Sequence, residues 1–322
     1  MVSKAKKIVA LSGGVGGAKL AVGLAEVLTQ DELLIVANTA DDFTHLGLRI
    51  CPDLDTVMYN LAGIQNTQQG WGIEGETWQF MQQLGKLDGE DWFLLGDKDL
   101  ATHTVRTQLL AQGENLTDIT AKLFKQLGVA VNVVPMCNQS VSTQMQTDEG
   151  TLAFQDYFVR RRCVPVVSSY QFSDIELATI QPDFAAALAD EALAAVIICP
   201  SNPFVSVEPI LSVPGVREAL KKTTAPVIAV SPIIGGQALK GPAAKMMNEL
   251  GMPQSATAVA QHYGDLIDGF VIDSVDADLQ AEIEALGVAC IVTQSIMKTQ
   301  QDKIDLANIC IDFAANIKGR CV

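Results

Sequence analysis

Charge of either sign is scarce in this sequence. Asp, Glu, Lys and Arg make up 18% of the 322 residues, and the basic ones are fewer, 22 against 37 acidic, for a formal net charge of −15. A surface of that sign repels polyphosphate backbones and anionic bilayers, which argues against a nucleic-acid binder or a membrane-surface protein. Aromatics are only 6%, so the core must come from Ala, Val, Ile and Leu. No uncharged apolar run approaches the roughly 18 residues a bilayer span needs. The run 192–199 reads as a buried strand preceded by the end of a helix. Lys4, Lys6 and Lys7 precede an apolar run, 8–11, that stops at Ser12-Gly13-Gly14, too short for a secretory core, and a cytoplasmic location is expected. The seven cysteines (51, 137, 163, 199, 290, 310 and 321) include no Cys-x-x-Cys pair. Disulfide frameworks and zinc sites need clustering that is absent, so the thiols are expected to be reduced and structural. The 48% apolar share excludes disorder, and the length suits one large domain or two smaller ones.

Short β-branched or apolar runs at 8–11, 33–37, 129–134, 196–199, 227–230, 270–272 and 289–292 predict strands. Most are separated by helix-length segments. Alternation of strand and helix implies parallel strands with right-handed crossovers, hence an α/β, doubly wound, mostly parallel Rossmann-like sheet covered on both faces. Between 61 and 190 the pattern loosens, and all three tryptophans (71, 78 and 92) fall there. The organisation expected is a nucleotide-binding core from 1–60 plus 191–322, with 61–190 as a largely helical or irregular insertion over the active site. In such sheets ligands bind beyond the carboxyl ends of the strands, which selects the loops 12–19, 38–49, 200–206 and 231–237.

The first loop, Ser12-Gly13-Gly14-Val15-Gly16-Gly17-Ala18-Lys19, opens a helix and reads as a phosphate cradle, because missing Cβ atoms let an anion approach first-turn amides. It lacks the Walker spacing and fits the dinucleotide fingerprint loosely. Asn38 stands where an NAD enzyme would place a ribose-binding carboxylate, and Asp41, Asp42, Asp53 and Asp55 follow within fifteen residues. Four carboxylates so close need an offsetting cation or hydrogen-bond donors. Mg²⁺ suits oxygen ligands and substrate phosphates, and no His or Cys cluster offers softer donors; Asp53 and Asp55 can also simply cap the helix after Pro52. Lys98, between Asp97 and Asp99, reads equally as a surface charge or a ligand donor, and His103 as a helix-face residue near Asp99. The run Arg160-Arg161-Arg162 reads as a solvent-exposed face; with Arg49, Lys98 and Lys19 it is among the few places able to neutralise a substrate anion.

Seven motifs in order, Ser12 to Lys19, Asn38-Thr39-Ala40-Asp41-Asp42, Cys51-Pro52-Asp53-Leu54-Asp55-Thr56-Val57, Gly70-Trp71-Gly72-Ile73, Gly96-Asp97-Lys98-Asp99-Leu100-Ala101-Thr102-His103, Pro200-Ser201-Asn202-Pro203 and Ser231-Pro232-Ile233-Ile234-Gly235-Gly236, resemble the 2-phospho-L-lactate transferase family of coenzyme F420 biosynthesis over nearly the whole chain. The resemblance implies transfer of a phospho-acid from a guanosine-diphospho adduct to the ribityl hydroxyl of the deazaflavin Fo, with GMP leaving. It implies Asp42 and Asp55 as catalytic groups and Asp42 with Asp41 as ligands of Mg²⁺. Asp55, Lys98, His45 and Arg49 would meet Fo. Gly13, Gly14, Gly16, Gly17, Lys19, Asn38, Ser201, Asn202, Pro203, Ser231, Pro232 and Gly235 would hold the nucleotide. A homodimer is expected. Two rival functions are a nucleotide-sugar-binding regulatory protein of a related family, which has Gly-Gly-Ser-Ser-Gly where Phe43 to Arg49 stand here, and an NAD-dependent oxidoreductase, disfavoured by Asn38.

Overall fold

The computed structural model describes residues 7–317; Lys4, Lys6 and Cys321 lie outside the described residues. The chain opens on β1 (Lys7–Ser12), turns directly into α1 (Gly14–Val27) and continues to β2 (Leu33–Ala37). A hairpin, β3 (Phe43–His45) and β4 (Leu48–Ile50), leads into α2 (Pro52–Leu61), then α3 (Gln79–Lys86), α4 (Asp97–Ala111), α5 (Leu116–Gln126) and β5 (Asn132–Pro135). Next come β6 (Ser142–Thr147), β7 (Gly150–Ala153), a π-helical turn at Asp156–Arg160, β8 (Val167–Ser173) and α6 (Pro182–Leu188). After β9 (Leu193–Ile198) a second π-helical turn, Pro203–Val207, precedes α7 (Glu208–Ser212) and α8 (Val216–Lys222). The last part holds β10 (Val227–Val230), the hairpin β11 (Ile233–Ile234) and β12 (Gln237–Ala238), α9 (Ala243–Glu249), α10 (Ala256–Tyr263), β13 (Gly269–Asp273), α11 (Gln280–Glu284), β14 (Ala289–Thr293) and α12 (Gln300–Asn316).

Seven strands form one all-parallel sheet in the order β14-β13-β10-β9-β1-β2-β5. These are the seven runs expected from the sequence. They are legible because a strand covered on both faces is apolar throughout, as in Leu33–Ala37 and Val227–Val230, every residue of which is buried. Strand order reverses between β1 and β9, the place where sheets of this kind bind ligands beyond the strands' carboxyl ends. One face of the sheet carries α1, α2, α5 and α12, with Leu20, Leu24, Leu54, Phe124 and Leu306 in its core. The other carries α6, α8 and α10, with Phe184, Leu220, Val259 and Tyr263. Each such side chain stabilises the fold by about 1.5–3 kcal/mol through burial.

The segment 61–190 is more than a helical cover. It supplies α3 to α5, it adds β5 to the edge of the central sheet, and it includes a three-stranded antiparallel sheet, β7-β6-β8, that the sequence reading did not separate from the helices. In β6 the inward residues Thr143 and Met145 are buried while Ser142, Gln144 and Gln146 are partly exposed. With so few apolar positions the period-two signal is faint. Arg160, Arg161 and Arg162 are exposed, as expected, with Arg161 paired to Glu149 at 2.6 Å. The six described cysteines are free. Among the described residues no helix is long and apolar enough to cross a membrane.

Candidate active site

The four loops selected by topology do leave the carboxyl ends of β1, β2, β9 and β10, and three of them are bonded to one another. The Gly13 amide donates to Ser201 Oγ (3.1 Å) across the switch point, and the Gly14 amide donates to Asp53 Oδ1 (2.7 Å). Asn38 Nδ2 donates to Asp53 Oδ2 (3.0 Å) and to the Val205 carbonyl (3.3 Å). Asp53 therefore caps the start of α1, from its place in the first turn of α2. An anion favours a helix N-terminus, and part of this one is already satisfied by the protein's own carboxylate. Two glycines are needed for packing: a Cβ on Gly16 would fall 2.2 Å from the Pro200 carbonyl oxygen, and one on Gly17 would fall 2.5 Å from Ser201 Oγ.

Asp41 and Asp42 lie beyond the tip of β2, buried at 5% and 3% exposure. Asp41 accepts from Thr143 Oγ1 (3.1 Å), and its carbonyl accepts from Gln155 Nε2 (3.3 Å), so the antiparallel sheet and the π-helical segment clamp this loop. Burial, then the nearby Asp53 carboxylate, pushes the Asp41 carboxyl well above the ordinary carboxylate range. Burial pushes Asp42 up to about 7, against the pull of Arg49. Arg49 Nη2 reaches Asp42 Oδ2 only at 3.5 Å, while Oδ1 is buried without a hydrogen-bond partner. Ionised, these two carboxyls would carry more negative charge than their surroundings neutralise, which is why both favour the protonated form. His45 is buried on the hairpin, its ring edge against Trp92 (5.0 Å between centroids), and burial lowers its basicity.

Asp55 is in the opposite situation. Both of its oxygens are clasped by the Arg106 guanidinium, Nη1 at 3.1 Å from Oδ2 and Nη2 on Oδ1. Arg106 is 2% exposed, and although burial works to discharge it, Asp55 holds it firmly charged. His103 Nδ1 lies 3.2 Å from Arg106 Nη1 and 3.6 Å from Asp55 Oδ2, and His103 Nε2 lies 3.3 Å from Asp99 Oδ1. Tyr59 donates to the same Asp99 oxygen at 2.5 Å. Burial works to raise the Asp99 carboxyl, but His103 and Tyr59 outweigh it and hold it below the usual value. Asp55, Asp99 and His103 are close enough to share a metal ion, yet a cation there would face the Arg106 charge and compete for the lone pair on His103 Nδ1.

Sequence reading missed Arg106 and Tyr59, although a signal existed. Asp99, His103 and Arg106 recur at i, i+4 and i+7 on α4, and Asp55 and Tyr59 at i, i+4 on α2. A polar stripe at helical spacing facing another marks a buried network. His103 sits near Asp99 as anticipated, though fully buried.

The remaining expected residues are more scattered. Lys98 is exposed, and its ammonium donates to the Glu74 carbonyl (2.7 Å) rather than reaching Asp55. It lines an open cavity of about 580 Å³ with Ile64, Ile73, Thr102 and Leu127. Lys19 Nζ donates to the Met297 carbonyl (2.9 Å), and burial, then Lys240 and Lys303, lower its pKa. Asn202 caps the turn that starts at the buried Pro203, accepting from the Phe204 amide (2.9 Å). Ser231 Oγ donates to the Ile233 carbonyl (2.8 Å) and, with the half-buried Pro232, shapes the entry to the β11–β12 hairpin. Gly235 and Gly236 form its turn with φ of +56° and +74°, and the Gly235 amide donates to Asp276. Both turn positions require the left-handed conformation that glycine adopts at least cost.

Fold and site together define a doubly wound α/β protein whose crevice is rich in buried carboxylates. Residues 8–306 match the family model described as 2-phospho-L-lactate transferase CofD. The chain is 40% identical to a phosphoenolpyruvate transferase of Kitasatospora aureofaciens over 97% of its length and 99% of the relative's. It is 38% identical to a 2-phospho-L-lactate transferase of Methanosarcina mazei over 94% of its length and 99% of the relative's. The chain belongs to the 2-phospho-L-lactate transferase CofD family and is a transferase. Among solved structures it resembles a upf0052-family protein of Bacillus halodurans, with a TM-score of 0.61 at 15% identity, covering 96% of this chain and 99% of that one, a likeness of fold alone.

Proposed function

We propose that this protein acts in coenzyme F420 biosynthesis, transferring a phospho-acid from its guanosine-diphospho adduct to the ribityl hydroxyl of Fo. The hydroxyl oxygen attacks the phosphorus that carries the acid, the new P–O bond forms, the bond to GMP breaks, and the hydroxyl proton passes to the Asp55 carboxylate and from there to solvent. Supporting the reading is one observation above others: in a chain of this family, two buried carboxylates, Asp41 and Asp42, sit beside the switch point with their charge uncompensated.

That donor set fits Mg²⁺, a hard cation taking carboxylate oxygens and substrate phosphates, and the orphaned Asp42 Oδ1 is a free ligand atom. Asp42 and Asp41 would hold the ion, which when bound supplies positive charge against the diphosphate. Asp55, held by Arg106, orients the hydroxyl; each carboxylate oxygen keeps a second lone pair for it. A helix N-terminus contributes only about 0.3–1 kcal/mol toward an anion, up to ~2 when partly buried, so the glycine turn, Asn38, the 201–203 turn and the 231–235 hairpin hold the nucleotide together with Lys19. The cavity beside Lys98 takes the deazaflavin ring, with His45 and Arg49 on the reacting side.

The acid is 2-phospholactate, phosphoenolpyruvate or 3-phosphoglycerate. Mass spectrometry of the product from Fo with each guanylylated acid decides among them, and no Fo adduct with any of the three refutes the reading. Separate titrations with Fo, GDP, a UDP-sugar and NAD test the rivals: binding of Fo and GDP is expected, and binding of UDP-sugar or NAD alone would overturn it.

A further inference from the structure

We propose that Arg106 is a positioning residue of the transfer, fixing the Asp55 carboxylate as an oriented acceptor for the incoming hydroxyl, with Asp99, His103 and Tyr59 as the frame that fixes Arg106. The inference rests on the reading of Asp55 given above and adds what makes that residue competent.

The geometry carries it. A guanidinium only donates, so the 3.2 Å approach of Arg106 Nη1 to His103 Nδ1 is a hydrogen bond in the tautomer that carries its proton on Nε2. In that tautomer Nε2 faces Asp99 Oδ1 at 3.3 Å, an ion-pair distance without hydrogen-bond geometry. Asp99 is in turn held by Tyr59 at 2.5 Å, and Tyr59 stands one helical turn from Asp55 on α2. The path Asp55, Arg106, His103, Asp99, Tyr59 thus leaves α2, crosses to α4 and returns to α2. Arg106 Nη1 also donates to the Arg49 carbonyl (3.3 Å), tying the hairpin to the same point. With both carboxylate oxygens in the planar fork, Asp55 has one orientation.

Stability is a poor reason for such a device. A buried ion pair replaced by well-packed apolar residues is often neutral or stabilising, because desolvation offsets the Coulomb attraction. Orientation is a better one: a shift of about 1 Å in a reacting group can cost a hundredfold in rate. Lysine cannot reproduce the two-point grip.

The test uses the full chain and four variants: Asp55→Asn, Arg106→Gln, Arg106→Lys and the double variant D55N/R106Q. Turnover is measured with Fo and the guanylylated acid that the wild type uses best, and GDP binding by calorimetry. Asp55→Asn and Arg106→Gln are each expected to lower kcat roughly a hundredfold with KM for Fo and GDP affinity little changed, and the double variant to be no worse than Asp55→Asn. Arg106→Lys should recover only part of the loss, because it restores the charge without the fork. Multiplying losses in the double variant, wild-type kcat in Arg106→Lys, or loss of GDP binding in step with kcat would each overturn the inference. Should Arg106→Gln fail to fold, the double variant, which removes both charges, and Arg106→Lys decide it. Full activity in Asp55→Asn sinks the reading of Asp55 and this inference with it. Loss in Asp55→Asn with independent loss at Arg106 sinks the inference alone.

Discussion

Two groups of aspartates lie side by side in this crevice with opposite electrostatics. On α2, Asp55 is neutralised from within the chain by Arg106. Beyond β2, Asp41 and Asp42 are equally buried but lack a close bidentate cation: Thr143 and Asn38 on Asp41, and Cys51, a long contact to Arg49 and the more distant Arg106 on Asp42, do not offset burial, which drives both toward the protonated form. Residue type is the same in both places; what differs is whether a buried cation was built in. A satisfied carboxylate is a fixed hydrogen-bond acceptor, whereas an unsatisfied one is a place for a cation to come from outside.

The sharpest way to break this contrast is to remove one carboxylate from the unsatisfied group. Asp42→Asn is expected to lower turnover roughly a hundred- to thousandfold, read in steady-state assays with Fo and the guanylylated acid, while the protein stays folded. Stability should then separate the two groups by sign. Arg106→Met leaves Asp55 buried and unpaired and should cost about 3–5 kcal/mol, whereas Asp42→Asn should be no less stable than the Mg²⁺-free wild type at pH 8; urea unfolding measures both.

The pH dependence follows from the same difference. Asp42 binds its proton more tightly folded, at about 7, than at the ordinary 3.8. Between those values the folded state holds more protons than the unfolded one, so Asp42 makes the stability of the Mg²⁺-free protein fall as pH rises from about 4 to about 7, by a few kcal/mol on the order of the shift, and Asp41, whose carboxyl burial also raises, adds to the fall. Added Mg²⁺ should recover that loss at pH 8 in melting curves, and Asp42→Asn should blunt both effects. A flat profile with no Mg²⁺ response would mean that the loop is neutralised some other way. Smallest is the effect at the rim: Lys98→Ala should weaken Fo about tenfold, near 1.4 kcal/mol, and leave GDP unchanged by calorimetry. An equal loss of both would move Lys98 out of the deazaflavin cavity.

Legibility followed the physics of each part. The central strands could be read because burial on both faces leaves no room for polar residues, and Val196, Ile197 and Ile198 are wholly enclosed. The β6–β8 sheet escaped because its solvent face is polar and its inward face short. Glycine spacing pointed correctly to the turn after β1, but not to its use: Gly16 and Gly17 are small because Pro200 and Ser201 press against them, and Asp53 occupies amides that the sequence reading reserved for a phosphate.

Local chemistry along the chain thus determined the parallel sheet, the loops at its carboxyl edge and the crowding of Asp41, Asp42, Asp53 and Asp55 between them. Folding alone decided which of those acids would be answered. Arg106 lies 51 residues from Asp55, and no rule of spacing pairs them; only the packing of α4 against the hairpin and α2 brings the guanidinium to one carboxylate and leaves Asp42 without such a partner. Charge is written residue by residue, but its neutralisation depends on distance in space and on the exclusion of water, and both arise only when the chain has closed.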